Sequence, residues 1–131
     1  MPHLIAATLS GAAIAAVLPA GAALAVTEAP PVTALRMTVG QPSLAEGISR
    51  SVVLRCDPAG GAHPKALEAC AQLARNGGRF TRPAGHIACT LQYAPVQVTA
   101  SGRWRGRLVW FTKSYGNSCE LRAHTGALFD F

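Results

Sequence analysis

Charge is scarce in this chain and missing altogether from its start. Of 131 residues only 14% are charged, and Met1 to Ala25 holds no Lys, Arg, Asp or Glu. Cysteine is also sparse, with four residues and no pair closer than Cys56 and Cys70. Zinc ligands need tighter pairs, so a zinc site is disfavoured. No recognised nucleic-acid module accompanies the basic excess, which is +6 at a pI near 9.8. Such a footprint needs a wider basic face. Arg103, Arg105 and Arg107 alternate around Trp104 along an expected strand, so all three are expected on one solvated face. No internal repeat or low-complexity tract appears after residue 25.

The charge-free start is rich in Ala, Leu, Ile and Val and ends Ala23-Leu24-Ala25. A small-x-small site after an apolar run reads as a secretory signal peptide, residues 1–25. Pro19 and Gly21 interrupt the run, which favours cleavage over a membrane anchor. Removal leaves 131 − 25 = 106 residues with all 18 charges, 12 basic and 6 acidic. The expectation is a secreted protein with no membrane attachment after cleavage. Residues 26–33, with Pro30-Pro31, read as a flexible mature N-terminus. Residues 34–131 form one domain.

A domain this small buries little surface and benefits from covalent staples. Four cysteines in an oxidising compartment allow three pairings. The nearest-neighbour one closes loops of 70 − 56 = 14 and 119 − 89 = 30 residues. In the loop-entropy model these stabilise by about 3 and 3.6 kcal/mol.

Alternation with period two marks strands. Leu35, Met37 and Val39 form one, closed by Gly40-Gln41-Pro42. Val52, Leu54 and Cys56 form a second, and Val96, Val98 and Ala100 a third. Arg105-Gly106 turns that strand into Leu108 to Ser114, and Ser101-Gly102 suggests a bulge or second turn. Leu128 to Phe131 reads as a last short strand, and Asp57 to Ala62 as a turn. His63-Pro64 opens a helix whose apolar face is Ala66, Leu67, Cys70, Leu73 and Ala74; Asn76-Gly77-Gly78 ends it. Gly116 to Cys119 reads as a loop and Glu120 to His124 as one helical turn. Strands dominate with hairpin-like connections, so the fold class is α+β with an antiparallel sheet.

Cys89-Thr90-Leu91-Gln92-Tyr93-Ala94-Pro95 is the most informative stretch. A cysteine can pin one end covalently, and Pro95 pushes Ala94 toward extended geometry at the other. A segment held extended at both ends resembles a bound substrate, so Leu91–Gln92 reads as a bait bond for a serine protease. The same residues also read as an ordinary buried strand leading into Val96-Gln97-Val98.

The run Cys56-Asp57-Pro58-Ala59-Gly60-Gly61-Ala62-His63-Pro64, followed by Ala69-Cys70 and Leu73, resembles the Streptomyces subtilisin inhibitor-like family of secreted serine protease inhibitors. So do Cys89 to Val96, Gly116-Asn117-Ser118-Cys119-Glu120 and the ending Phe129-Asp130-Phe131. The likeness spans roughly Ala34 to Phe131. It implies a single five-stranded antiparallel sheet with two short helices and the disulfides Cys56–Cys70 and Cys89–Cys119. It implies a reactive bond at Leu91–Gln92, with Leu91 filling the primary pocket of a subtilisin-like or chymotrypsin-like protease. Cys89, Thr90, Tyr93 and Ala94 would complete the contact loop, with Asn117 and Pro95 supporting it. It further implies a homodimer through the sheets. No cofactor, metal, nucleic acid or catalytic residue is expected. The chain departs from the family pattern at Ala94, where Asp is usual, at Arg36, usually apolar, and in a shorter Gly78–Cys89 segment.

A small secreted basic hydrolase, such as a ribonuclease, is the alternative, with His63, His86, His124, Glu68 and Glu120 as acid–base candidates. A third class is a secreted polyanion-binding module using the Arg103–Arg107 face.

Overall fold

The computed structural model describes residues 21, 23–25, 32–42 and 47–131. The expected signal peptide lies outside these apart from residues 21 and 23–25, as do residues 26–31 of the expected flexible N-terminus. The elements in chain order are β1 (Thr33–Gln41), β2 (Ile48–Cys56), β3 (Gly60–Gly61), α1 (Ala66–Arg75), β4 (Val96–Trp104), β5 (Arg107–Tyr115) and α2 (Ser118–Thr125). They form a five-stranded antiparallel sheet of order β3-β2-β1-β4-β5. The α+β class, the two helices and the two disulfides are as the sequence implies.

Alternate residues of each strand face one side. On the inner face Leu35, Met37, Leu54, Val98 and Ala100 are fully buried. Ala69 and Leu73 of α1, Phe80, Leu121 of α2, Leu128 and Phe129 cover them. Phe80 and Phe111 stack with ring centroids 5.1 Å apart. A cluster of this kind gains from both apolar burial and ring geometry.

Several expectations need correction. β1 starts at Thr33, inside the stretch expected to be flexible, because the Thr33 hydroxyl accepts the Arg105 N–H at 2.9 Å. The fifth strand is Gly60–Gly61, within the expected turn, and pairs with Leu54 and Arg55. Leu128 to Phe131 is no strand: Leu128, Phe129 and their neighbour Ala127 are buried together, and Leu128 N–H bonds the Thr125 carbonyl. The helix begins at Ala66 rather than at Pro64. His63 reaches past it: its Nδ1 accepts the Lys65 N–H at 3.0 Å, so Nε2 carries the proton donated to the Leu128 carbonyl at 3.0 Å.

The buried face of α1 is also rotated from expectation. Ala69, Gln72 and Leu73 are inside, whereas Leu67 and Ala74 are exposed. Gln72 causes this. Its Nε2 donates to the Thr125 carbonyl at 2.7 Å and its Oε1 accepts the Ala127 N–H at 3.0 Å, so both ends of a buried amide are satisfied. The Cys56–Cys70 disulfide, Cα–Cα 5.6 Å, fixes α1 to the end of β2.

Arg105 and Gly106 form the β4–β5 turn, with φ 48° and 80°. Positive values at both central residues suit a tight hairpin. Ser101 and Gly102 make neither bulge nor turn: they pair in unbroken register with Trp110 and Val109. Gly102 is there for closeness. A Cβ at its position would stand 2.2 Å from the Ala34 carbonyl oxygen, at φ 136°. The three arginines do not share a face. Arg107 pairs with Trp104 and so lies on the opposite side from Arg103, while Arg105 sits in the turn with its guanidinium over Trp104 at 4.9 Å.

Gly102→Ala is expected to destabilise the protein by about 2–3 kcal/mol. Gly60→Ala, where an added Cβ meets nothing within 4 Å, should change stability by less than about 0.5 kcal/mol. Urea denaturation of both variants checks the pair.

Candidate functional site

The site is built at one end of the sheet, where β4 begins and β5 ends. Val96 pairs with Tyr115 there. The chain reaches β4 through an exposed segment and leaves β5 directly into α2.

α2 starts on Asn117. Its backbone is extended, at φ −164° and ψ 173°, and its Oδ1 accepts the Glu120 N–H at 2.9 Å. That is a helix N-cap. Glu120 reaches back and accepts the Gly116 N–H at 2.9 Å. The pair is a variant of the capping box, displaced by one residue. A Cβ at Gly116 would stand 2.9 Å from that Glu120 oxygen, so a side chain there would require the Glu120 carboxylate to shift.

The cap decides which way the Asn117 amide points. A backbone N–H can only donate, so the atom facing Glu120 is the oxygen. The Nδ2 group therefore faces the neighbouring loop. It donates to the Thr90 carbonyl at 3.2 Å and to the Gln92 carbonyl at 2.9 Å. These carbonyls flank Leu91. Among the described residues the Leu91 carbonyl accepts no hydrogen bond, and the Leu91 side chain is 100% exposed.

Two further anchors hold the same loop. Cys89 is bonded to Cys119 in the first turn of α2, Cα–Cα 5.7 Å. Ala94 N–H donates to the Gly116 carbonyl at 2.9 Å, just before the half-buried Pro95. Gln92, Tyr93 and Ala94 are exposed, Tyr93 at 82%. Thr90 is also exposed. The stretch is thus a surface loop rather than a buried strand. Asn117, in contrast, is buried at 7% exposure.

Sequence reasoning missed Gly116 and Glu120 as parts of this arrangement. The Asn117-Ser118-Cys119-Glu120 spacing was the available signal, since an Asn followed three residues later by Glu marks a helix start. α2 accordingly begins at Ser118, where a loop was expected.

The acid–base candidates are dispersed. His63 is buried with both ring nitrogens on backbone groups, and His124 Nδ1 faces the Arg82 carbonyl at 3.1 Å. Glu120 serves the cap; His86 and Glu68 are exposed on separate elements. Among the described residues no three His, Cys, Asp or Glu side chains gather as a metal-binding group. No helix among them is long and apolar enough to cross a membrane. Burial raises the Tyr115 phenol above its ordinary value of 10.0.

Removing the amide donor should loosen the loop without unmaking the cap. Asn117→Asp retains the cap acceptor but sets a carboxylate against two carbonyl oxygens. A loss of about 1–3 kcal/mol in unfolding free energy is expected. Asn117→Ser, which keeps an acceptor and adds no charge, should lose less. Chemical denaturation at neutral pH measures both.

Comparison with known proteins gives a consistent result. The profile of the subtilisin inhibitor-like family matches residues 29–117. A subtilase-type protease inhibitor of Streptomyces fradiae is 42% identical over 107 residues, covering 79% of this chain and 75% of its own. A subtilisin inhibitor of Streptomyces violaceus is 40% identical over 129 residues, covering 89% and 88%. Among solved structures, Streptomyces caespitosus sermetstatin in complex with Bacillus licheniformis subtilisin aligns with a TM-score of 0.62 at 28% identity. It covers 76% of this chain and 99% of that one.

Proposed function

The chain belongs to the subtilisin inhibitor-like family, and from that premise we propose that it inhibits subtilisin-like serine proteases by offering Leu91–Gln92 as a substrate-like bond. Its relatives are named as inhibitors, and it is an inhibitor of this family rather than an enzyme. The observation that carries the bond assignment is the Asn117 amide on the carbonyls either side of a fully exposed Leu91.

The protease supplies the chemistry. Its serine attacks the Leu91 carbonyl carbon, and its oxyanion hole receives the oxygen. With an ordinary substrate the new amine diffuses away. Here Gln92 stays where Asn117, Ala94 and Pro95 hold it, while Cys89–Cys119 holds the acyl side. The amine remains poised against the acyl-enzyme, so the bond re-forms instead of being hydrolysed. The loop's ordering entropy is lost on folding, before the enzyme arrives, which leaves more of the contact energy as affinity. Exposed Thr90, Tyr93 and Ala94 extend the contact along the protease cleft. Ala94 makes a smaller contact than the Asp usual in the family.

Leu91 sets the choice of enzyme. A branched apolar side chain fills a hydrophobic primary pocket and cannot pair with the carboxylate of a trypsin-type pocket. Strong inhibition of subtilisin and weak inhibition of trypsin follow. Leu91→Lys should gain trypsin affinity by at least about a hundredfold. Inhibition constants against subtilisin, chymotrypsin and trypsin test this; no change in the variant would mean that another bond is presented. The two disulfides support export to an oxidising compartment, in line with the proposed signal peptide.

We also propose self-association through the outer sheet face. Trp110 and Leu108 are 79% and 78% exposed there, and the register sets Trp110 in line with Ser101, Arg36 and Val53. The next line is Leu108, Arg103, Ala34 and Arg55. A second copy would bury the apolar residues but bring like charges together, and desolvating a charge is costly. The dimer should therefore tighten as salt rises and screens the arginines. Sedimentation equilibrium at low and high ionic strength checks this, with Trp110→Ala expected to remain monomeric.

A further inference from the structure

α2 touches the loop segment at its far end as well as at its start. Arg82 N–H donates to the His124 carbonyl at 2.9 Å. In return His124 Nδ1 lies 3.1 Å from the Arg82 carbonyl. A carbonyl only accepts, so Nδ1 carries a proton. The two bonds form a reciprocal clip between the last turn of α2 and the chain approaching the loop.

On the helix side the clip is packed against the sheet. The His124 ring stacks on Tyr115, with centroids 5.8 Å apart and planes at 25°. Tyr115 is the last residue of β5, buried at 6% exposure, and adjoins Gly116. Lys113 Nζ approaches the Tyr115 ring at 5.3 Å. The tyrosine hydroxyl has no hydrogen-bond partner among the described residues, so the ring is placed by its packing and by the lysine above it.

On the loop side little else is fixed. Between Arg82 and Cys89 lie six exposed residues, Pro83 to Ala88. Among the described residues their one backbone-to-backbone bond is local, from Ile87 N–H to the Gly85 carbonyl at 2.7 Å. Upstream of the clip the nearest buried residue is Phe80, at 4% exposure. Without the clip the unsupported stretch would begin there.

We propose that His124 is a positioning residue for the reactive loop, fixing its acyl-side approach through Arg82. The inference rests on the reading of Leu91–Gln92 as the reactive bond. One short helix then holds the loop through Asn117, Cys119 and His124. The disulfide fixes Cys89, and the clip fixes the direction from which the chain arrives. His124 touches no protease atom in this scheme.

Two variants separate the bond from the ring. His124→Phe keeps a ring to stack on Tyr115 and loses the donor. His124→Asn keeps an N–H at the place of Nδ1 and loses the ring. Against subtilisin, His124→Phe should raise both the inhibition constant and the rate of cleavage at Leu91–Gln92 by about fivefold, while His124→Asn stays within about twofold of wild type. Amide exchange at Ile87 should quicken by a similar factor in the Phe variant. The thermal midpoint should fall by no more than about 8 °C.

Wild-type inhibition by His124→Phe, or equal impairment of the Asn variant, overturns the proposal. Should the wild-type protein itself leave subtilisin active, the reactive-bond reading falls. Exchange at Ile87 then decides the clip alone, and an unchanged rate in His124→Phe overturns it.

Discussion

The structure turns on one amide. Asn117 spends its oxygen on the first turn of α2 and its nitrogen on two loop carbonyls. Either task alone would leave the other half of a buried amide unsatisfied, at a cost of about 1–3 kcal/mol. Together they make the helix and the loop a single unit. Glu120 reinforces the arrangement by closing on Gly116, whose carbonyl in turn receives Ala94. Cys119 lies two residues beyond Asn117 and carries the covalent anchor. Four adjoining residues thus hold both flanks of an exposed leucine, and none of them need touch an enzyme.

The remainder of the fold keeps that helix still. Antiparallel pairing brings the end of β5 beside the start of β4, so the loop returns to the point from which α2 departs. Behind α2, Gln72 of α1 pins Thr125 and Ala127, and His63 pins Leu128. The Cys56–Cys70 bridge ties α1 to β2 in its turn. Polar contacts of this kind suit a domain too small for a deep core, because each fixes a direction where apolar burial gives only proximity. The proposed inhibition needs such fixity more than it needs stability. A loop that could relax after cleavage would release its amine.

The parts legible in the sequence were those governed by a simple period. Leu35, Met37 and Val39, and Val96, Val98 and Ala100, alternate because one sheet face is wet, and both runs are strands. Arg105-Gly106 announced its turn by composition and by the strands on either side. Cys89 to Pro95 was legible as a stretch held at two ends. What escaped was set by side-chain hydrogen bonds across the chain. Leu67 looked like a core residue on α1, but Gln72 has the stronger claim on the interior because both ends of its amide find backbone partners. Leu128 and Phe129 looked like a strand, yet they are buried side by side in a turn and cannot alternate. Gly60–Gly61 pairs with too few residues for any period to register. Arg103, Arg105 and Arg107 were given a common face even though Arg105-Gly106 was read as a turn; that turn sends Arg103 and Arg107 to opposite faces.

The central claim is that the severed ends of Leu91–Gln92 stay in place. It is tested most directly from the product side. Protein already cut at that bond, purified and then incubated with a trace of subtilisin, should regain the intact chain. Mass spectrometry should find the same ratio of intact to cut protein as is reached from uncut material. If the cut form stays cut, or is degraded further while uncut material steadily disappears, the loop does not hold its ends and the account is wrong.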